Sequence, residues 1–298
     1  MINFIILTNC RGEKLELDLR RPEQSGFLVS SPTGLTPMDS SVTTETFADG
    51  LGSYFSRASV AARTITIPMI FYEDNIFGHS VEDLRFELYR LFKPMEKIKI
   101  KVETDKRTCE IPGHVEKLSV TVFAQQCEAV MSVVCPDPFF VGMSLEHLED
   151  IKISSKQNIA YPGDIETGFI LDILSNVDDY MDGISVCSDS IGRSGDILEH
   201  QECSIGTILE PLGISGNILS GDKLVIDTRK HNIGMAFVRN GIEYNGMKLW
   251  RPTDLNSTFA FPELYPGKNE IKVINSATRE PINGFSYEIH YPLYFMGV

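Results

Sequence analysis

Histidine is the side chain most often used for both catalysis and metal binding, and it is not clustered in this sequence of 298 residues. No two histidines are separated by two, three or four positions, so neither the His-Glu-x-x-His pattern nor a zinc-ligand spacing occurs. The six histidines are His79, His114, His147, His200, His231 and His290. Their spacing predicts no metal site.

Three glycine-containing segments resemble catalytic loops but lack required residues. Gly192-Arg-Ser-Gly and Gly213-Ile-Ser-Gly each miss one residue of the Gly-x-Ser-x-Gly elbow, and neither joins a strand to a helix. Gly267-Lys-Asn lacks the upstream glycine and the hydroxyl residue of a phosphate-binding loop. We therefore predict that the protein is not an enzyme, has no catalytic residues and uses no cofactor.

The cysteine pattern argues against a disulfide scaffold. Six cysteines are few for a chain of this length, and none forms a Cys-x-x-Cys pair. Two of them, Cys109 and Cys127, lie in segments with a strand-like pattern. We interpret the cysteines as free thiols that pack as small apolar groups. This interpretation implies synthesis in a reducing cytoplasm.

The charge balance excludes two classes of partner. The chain has 41 acidic and 27 basic residues, which gives a net charge of −14. Proteins that bind duplex nucleic acid neutralise phosphates with Lys and Arg, so specific nucleic-acid binding is not expected. Docking on an anionic membrane is disfavoured for the same reason, and no apolar run reaches the length of a membrane span.

Short apolar runs separated by Gly, Pro, Asn and Asp predict a mainly β protein. In Lys97–Thr104 the residues Ile98, Ile100 and Val102 alternate with lysines, as in a half-buried strand. Closely spaced strands without helices in the last part of the chain favour an antiparallel sandwich. Cys135-Pro-Asp-Pro interrupts the strand pattern. We predict a domain over 1–140, a connector over 141–160 and a second domain over 161–298.

One segment has helical periodicity and predicts a helix over 80–93. Four apolar residues recur on one helical face, with Ser80 as N-cap and Asp83 three positions later. The residues of this face are Leu84, Leu88, Leu91 and Phe92. Pro94 prevents continuation beyond Lys93.

Residues 39–62 are long and polar, with a turn signal at Asp49-Gly50. We interpret them as a β-hairpin arm that is polar on both faces and projects from the body. Such an arm cannot bury itself, so it should lie on a neighbouring molecule. A mobile surface loop is the alternative interpretation.

Two aromatic residues near the end of the chain, Tyr244 and Trp250, are candidates for a partner or glycan surface. A Trp on a β-sandwich either stacks on a sugar or packs in the core or at an interface. The sequence leaves both interpretations open.

Several motifs, taken in order, resemble the siphovirus-type tail component family, the phage distal tail proteins. Cys135-Pro-Asp-Pro-Phe-Phe resembles the Cys-x-Asp-Pro-aromatic turn of that family, and residues 221–228 resemble its Gly-Asp-x-Leu-x-Ile-Asp-Thr strand, followed by Asn240-Gly. Residues 261–271 resemble its aromatic-x-x-Leu-x-Pro-Gly-x-Asn-x-Ile turn. Residues 288–298 resemble its terminal strand, with Phe-Met in place of a single Leu.

The resemblance implies a split β-barrel with one α-helix and a long hairpin arm, followed by a galectin-like β-sandwich. It also implies a homo-hexameric ring at the virion tail tip or baseplate, assembled in the bacterial cytoplasm. The ring would join the tail tube protein to a tail-associated lysin or tail-tip protein, and to a receptor-binding protein, while DNA passes through its lumen. The expected ring contacts in the arm are Thr44, Phe47, Asp49, Gly50, Tyr54, Phe55 and Arg57.

A second functional hypothesis remains beside the structural hub. The C-terminal sandwich would be a carbohydrate-binding module for host surface glycans, with Tyr244 and Trp250 as its stacking residues. No set of sugar-contacting residues can be matched onto this sequence, so the galectin-like resemblance does not imply that this protein binds sugar.

Overall fold

The computed structural model describes the chain except residues 74–77, 79, 122–126, 144–145, 151–156, 179, 181, 208 and 252–260, and the side chains of 146–150 and 251. The described chain is mainly β and forms two compact units. The first unit is Met1–Met143 with Phe295–Val298, and the second is Ser144–Tyr294. Among the described residues, no helix is both long and apolar enough to span a lipid bilayer.

The first unit contains ten strands and two helices before the second unit begins. The strands are β1 Ile2–Asn9, β2 Lys14–Asp18, β3 Phe27–Val29, β4 Ser40–Thr46, β5 Ser53–Val60, β6 Arg63–Phe71, β7 Lys97–Thr104, β8 Thr108–Val120, β9 Glu128–Cys135 and β10 Phe140–Gly142. The helices are α1 Pro22–Ser25 and α2 Val81–Leu91.

Seven strands of this unit form a curved, nearly closed sheet in the order β2-β1-β7-β8-β9-β6-β3, and β10 pairs with β8. The alternation predicted for β7 is confirmed, because Ile98, Ile100 and Val102 are buried and the lysines between them are not. The mainly β class and the barrel-like first unit agree with the sequence prediction.

Helix α2 confirms the predicted helix but is shorter at its C-terminal end. The Ser80 hydroxyl accepts a hydrogen bond from the Asp83 backbone N–H at 3.2 Å, as an N-cap does. The helix ends at Leu91 instead of Lys93, since Phe92 is already extended and the residue before a proline disfavours helical geometry. The one-turn helix α1 was not predicted.

Arg63 ties three distant segments of the first unit together. Its side chain is buried at the start of β6, and its guanidinium donates only to backbone carbonyls in the hydrogen bonds described. The acceptors are the carbonyls of Gly34 at 2.6 Å, Thr36 at 3.0 Å, Pro138 at 2.8 Å and Met296 at 2.5 Å. The Phe140 ring lies 4.8 Å from the guanidinium carbon. Burial lowers the pKa of Arg63 from its ordinary value.

The second unit contains thirteen strands and two short 3₁₀ helices, and the strand that follows them returns to the first unit. The strands are β11 Glu146–Asp150, β12 Gln157–Tyr161, β13 Thr167–Gly168, β14 Ile170–Ser175, β15 Ile184–Ile191, β16 Ile197–Ile205, β17 Lys223–Asp227, β18 Gly234–Arg239, β19 Ile242–Asn245, β20 Trp250–Arg251, β21 Glu263–Leu264, β22 Gly267–Asn275, β23 Phe285–Tyr291 and the returning β24 Tyr294–Phe295. The 3₁₀ helices are Glu210–Leu212 and Gly246–Leu249.

Two antiparallel sheets of the second unit cover one apolar core. Their strand orders are β11-β23-β14-β17-β18-β19 and β12-β22-β15-β16-β20. Leu171 and Ile289 from the first sheet and Val186 and Val273 from the second belong to the same buried cluster, so the unit is a β-sandwich. Residues 141–160, expected as a connector, supply an edge strand to each sheet through β11 and β12.

We expect Arg63→Met to weaken the first unit selectively. Four backbone carbonyls would lose the donors of a buried guanidinium, so the free energy of unfolding should fall by on the order of 3 kcal/mol. Hydrogen-exchange mass spectrometry in increasing urea reads the strands of each unit separately. The control is Arg193→Met, because Arg193 is exposed. Equal exchange in the two variants would contradict the structural role of Arg63.

Candidate functional site

The hairpin arm belongs to the first unit but does not pack into its core. It consists of β4, β5 and the turn 47–52, and among the described residues its two strands pair only with each other. Every residue of both strands is exposed. The predicted hairpin is therefore confirmed as a two-stranded arm outside the main sheet.

The arm turns where the sequence predicts. The Phe47 carbonyl accepts from the Gly50 N–H at 2.9 Å, and the Asp49 carboxylate accepts from the Leu51 N–H at 3.0 Å. Gly50 has a φ of 72°, a left-handed conformation that glycine adopts without steric cost. Asp49 and Gly50 thus fix the turn locally.

A β-bulge gives the arm one apolar face. The pairing shifts by one residue at Ser56, so that Val42 lies opposite Ala58 but Thr44 lies opposite Phe55. Opposed residues of an antiparallel pair point to the same face, which brings Val42, Phe55 and Ala58 together. Val42 is 56% exposed and Phe55 is 64% exposed. These apolar side chains have no cover within the arm.

The opposite face of the arm forms its own polar contacts. The Tyr54 hydroxyl donates to one Glu45 carboxylate oxygen at 2.5 Å, and the Ser56 hydroxyl donates to the other at 2.9 Å. The Phe47 and Tyr54 rings lie 5.3 Å apart. The arm is therefore amphipathic, whereas the sequence indicated two polar faces. Without the bulge, Phe55 and Ala58 would point to opposite sides.

The predicted arm residues are divided between the two faces and the turn. Thr44 and Phe55 lie on the apolar face, Tyr54 and Arg57 lie on the polar face, and Asp49 and Gly50 form the turn.

Tyr244 and Trp250 do not form a common surface. Tyr244 lies on β19, and its ring centroid is 6.3 Å from that of Phe237. Trp250 lies on β20 in the other sheet, opposite Ile205. Both side chains are partly buried and pack against the core of the sandwich.

A charged cluster that the sequence analysis did not single out lies on the β15–β16–β22 sheet, on the face opposite the core. Asp189 is buried there, 2.5 Å from His200 Nδ1 and 2.6 Å from Lys272 Nζ. Arg279 donates to Glu202. In the sequence, the cluster shows only as His200-x-Glu202, two polar residues on the same face of one strand. This pattern indicates a cluster only when the residues of the paired strands are also known.

The chain has the fold of a phage hub protein. It is similar to the crystal structure of the SPP1 Dit (gp 19.1) protein, a paradigm of the hub adsorption apparatus in phages that infect Gram-positive bacteria. The TM-score is 0.60 and the identity 13%, over 98% of this chain and 99% of that chain. At this identity the similarity establishes the fold.

Two further solved structures resemble the chain more weakly. A chain of the phage P2 baseplate in its activated conformation with Ca has a TM-score of 0.43 and 9% identity, over 98% of both chains. The corresponding structure with Sr has a TM-score of 0.41. No protein-family model matches the sequence, and no curated protein matches it.

We expect the arm to loosen in acid. Hydrogen bonds from Tyr54 and Ser56 lower the pKa of Glu45 below its ordinary 4.5. Their stabilisation is therefore complete above the ordinary carboxyl pKa and is lost as the pH falls through the lowered value. NMR titration of the arm amides should show the transition, and Glu45→Gln should abolish it. A transition that persists in Glu45→Gln would contradict this assignment.

Proposed function

We propose that this protein is the structural hub of a phage or phage-like tail tip and assembles as a hexameric ring. The observation that carries the proposal is the full-length similarity of its fold to the SPP1 Dit protein. The ring joins the tail tube protein to the tail-associated lysin or tail-tip protein and to a receptor-binding protein. The protein acts as a virion component without catalysis.

The exposed hairpin arm supports the ring assembly. A two-stranded hairpin is marginally stable by itself, and this one leaves Val42 and Phe55 exposed on one face. A cyclic ring needs a contact between two different patches of neighbouring copies. The arm of one copy, laid over the barrel-like sheet of the next, would provide this contact and cover the apolar face.

The charge of the chain fits a ring through which DNA passes without binding. Each copy has a net charge of −14, and DNA is itself densely anionic. Acidic residues along the lumen would repel the DNA backbone and let it slide. The alternative distribution places the same acids on the outer surface, where they favour solubility.

Glycan recognition by the sandwich receives no support from its two candidate aromatic residues. Stacking on a sugar requires an accessible ring face. Tyr244 and Trp250 pack against the core and belong to different sheets, so they offer no shared platform. The glycan-binding hypothesis remains a prediction without an observation in its favour.

We expect the purified protein to form hexamers that depend on the arm. Size-exclusion chromatography with light scattering measures the oligomer, either in isolation or after addition of purified tail tubes. Deletion of residues 43–60 should abolish the hexamer, and Phe55→Ser should shift it towards monomer at low concentration, because each removes apolar contact area.

Phe86→Ser is the matched control for Phe55→Ser. Phe86 is 57% exposed on α2, outside the arm, so its replacement removes a similar aromatic surface from another part of the same unit. An oligomer that survives deletion of the arm, or one that Phe86→Ser weakens as much as Phe55→Ser, would show that the arm does not close the ring.

A further inference from the structure

The charged cluster of the second unit brings three different metal-ligating side chains together. On the face opposite the core, Cys187 lies directly opposite Glu202 of β16, and His200 lies two positions before Glu202 on the same face. The candidate ligand atoms of these three residues all lie within 4.8 Å of one another. A thiol, an imidazole and a carboxylate form a ligand set typical of zinc.

Asp189 holds His200 in the orientation that metal binding requires. Asp189 is buried, and its two carboxylate oxygens lie 2.5 Å from Nδ1 of His200 and 2.6 Å from Nζ of Lys272. In this geometry the carboxylate accepts and Nδ1 of His200 donates. A metal would then bind at Nε2, the other ring nitrogen. A buried carboxylate that orients a histidine in this way is a recurrent feature of zinc sites.

Nε2 of His200 lies close to the carboxylate of Glu202. Nε2 lies 3.7 Å from Oε2 of Glu202, too far for a hydrogen bond. Two ligands at about 2.0–2.1 Å from a tetrahedral zinc are roughly 3.3 Å apart, so a small shift suffices. Arg279 donates to Oε1 of Glu202 and leaves Oε2 for the metal.

We propose that Cys187, His200 and Glu202 bind a zinc ion that links β15 to β16. A cavity of about 360 Å³, lined by Cys187 and His200 among others, opens onto the ligands and leaves space for water as the fourth ligand. The Cys187 thiol gives up its proton to solvent when the sulfur–zinc bond forms. The ion would crosslink the two strands on the face that the core does not support.

Zinc binding to the full chain tests this site directly. Protein freed of metal and kept reduced with a phosphine is titrated with zinc against a chromophoric chelator, and with cobalt to detect the thiolate-to-cobalt charge-transfer band. We expect one ion per chain, a charge-transfer band and a higher melting temperature with zinc. Cys187→Ser should abolish the band, and His200→Ala should lower the affinity at least about 100-fold.

Three further variants make the test specific. Asp189→Asn should lower the affinity about 10- to 100-fold, because it removes the carboxylate that orients His200. Cys10→Ser and His114→Ala are the controls, since both residues are exposed and lie in the first unit. The side chain of His200 is half-exposed, so we expect His200→Ala to fold. This variant therefore tests zinc binding even where Cys187→Ser fails to fold. Absence of stoichiometric zinc, or equal losses in the control variants, would overturn the site.

Discussion

The first unit depends on one buried cation. The guanidinium of Arg63 is removed from water and is compensated by four backbone carbonyls and an aromatic ring. Arginine suits this position because its planar group offers five fixed donors, which no other side chain provides. The acceptors come from the loop before the arm, the exit of the unit and the returning chain end. A single side chain thus fixes the segments from which the arm projects and through which the second unit is connected.

The arm and the main sheet of the first unit differ in how their apolar faces are covered. A β-sheet with an apolar face must cover that face, and the main sheet does so by curving around its own side chains. The arm has no such option, because its strands pair only with each other in the described chain. Its Glu45–Tyr54–Ser56 contacts keep it formed while its other face remains open. The arm is thus formed by its own contacts, and we propose that a neighbouring copy covers its apolar face.

The resemblance indicated the overall architecture, and the residues themselves predicted local features but not the contacts between distant segments. The alternation of β7, the Ser80 cap and the Asp49-Gly50 turn each depend on residues a few positions apart. The role of Arg63 depends on carbonyls far along the chain. The position of Phe55 depends on a bulge that changes the register of the arm.

The charged cluster illustrates the same limit at a site. The cluster does not appear as histidines or cysteines at short spacing, because its side chains come from two paired strands. Cys187 and Glu202 are 15 positions apart in the sequence and become neighbours through the register of β15 and β16. Only His200-x-Glu202 is local, and this spacing on a single strand is too common to signal a site.

The return of Phe295–Val298 to the first unit imposes an order on biosynthesis. The ribosome makes the chain from its N-terminus, so Arg63 emerges long before the Met296 carbonyl that it needs. The Val298 N–H, which donates to the Leu35 carbonyl at 3.1 Å, is made later still. All of Ser144–Tyr294 must be translated in between. A chain translated only as far as Tyr294 therefore lacks both contacts, and its first unit stays unfinished until Phe295–Val298 are made.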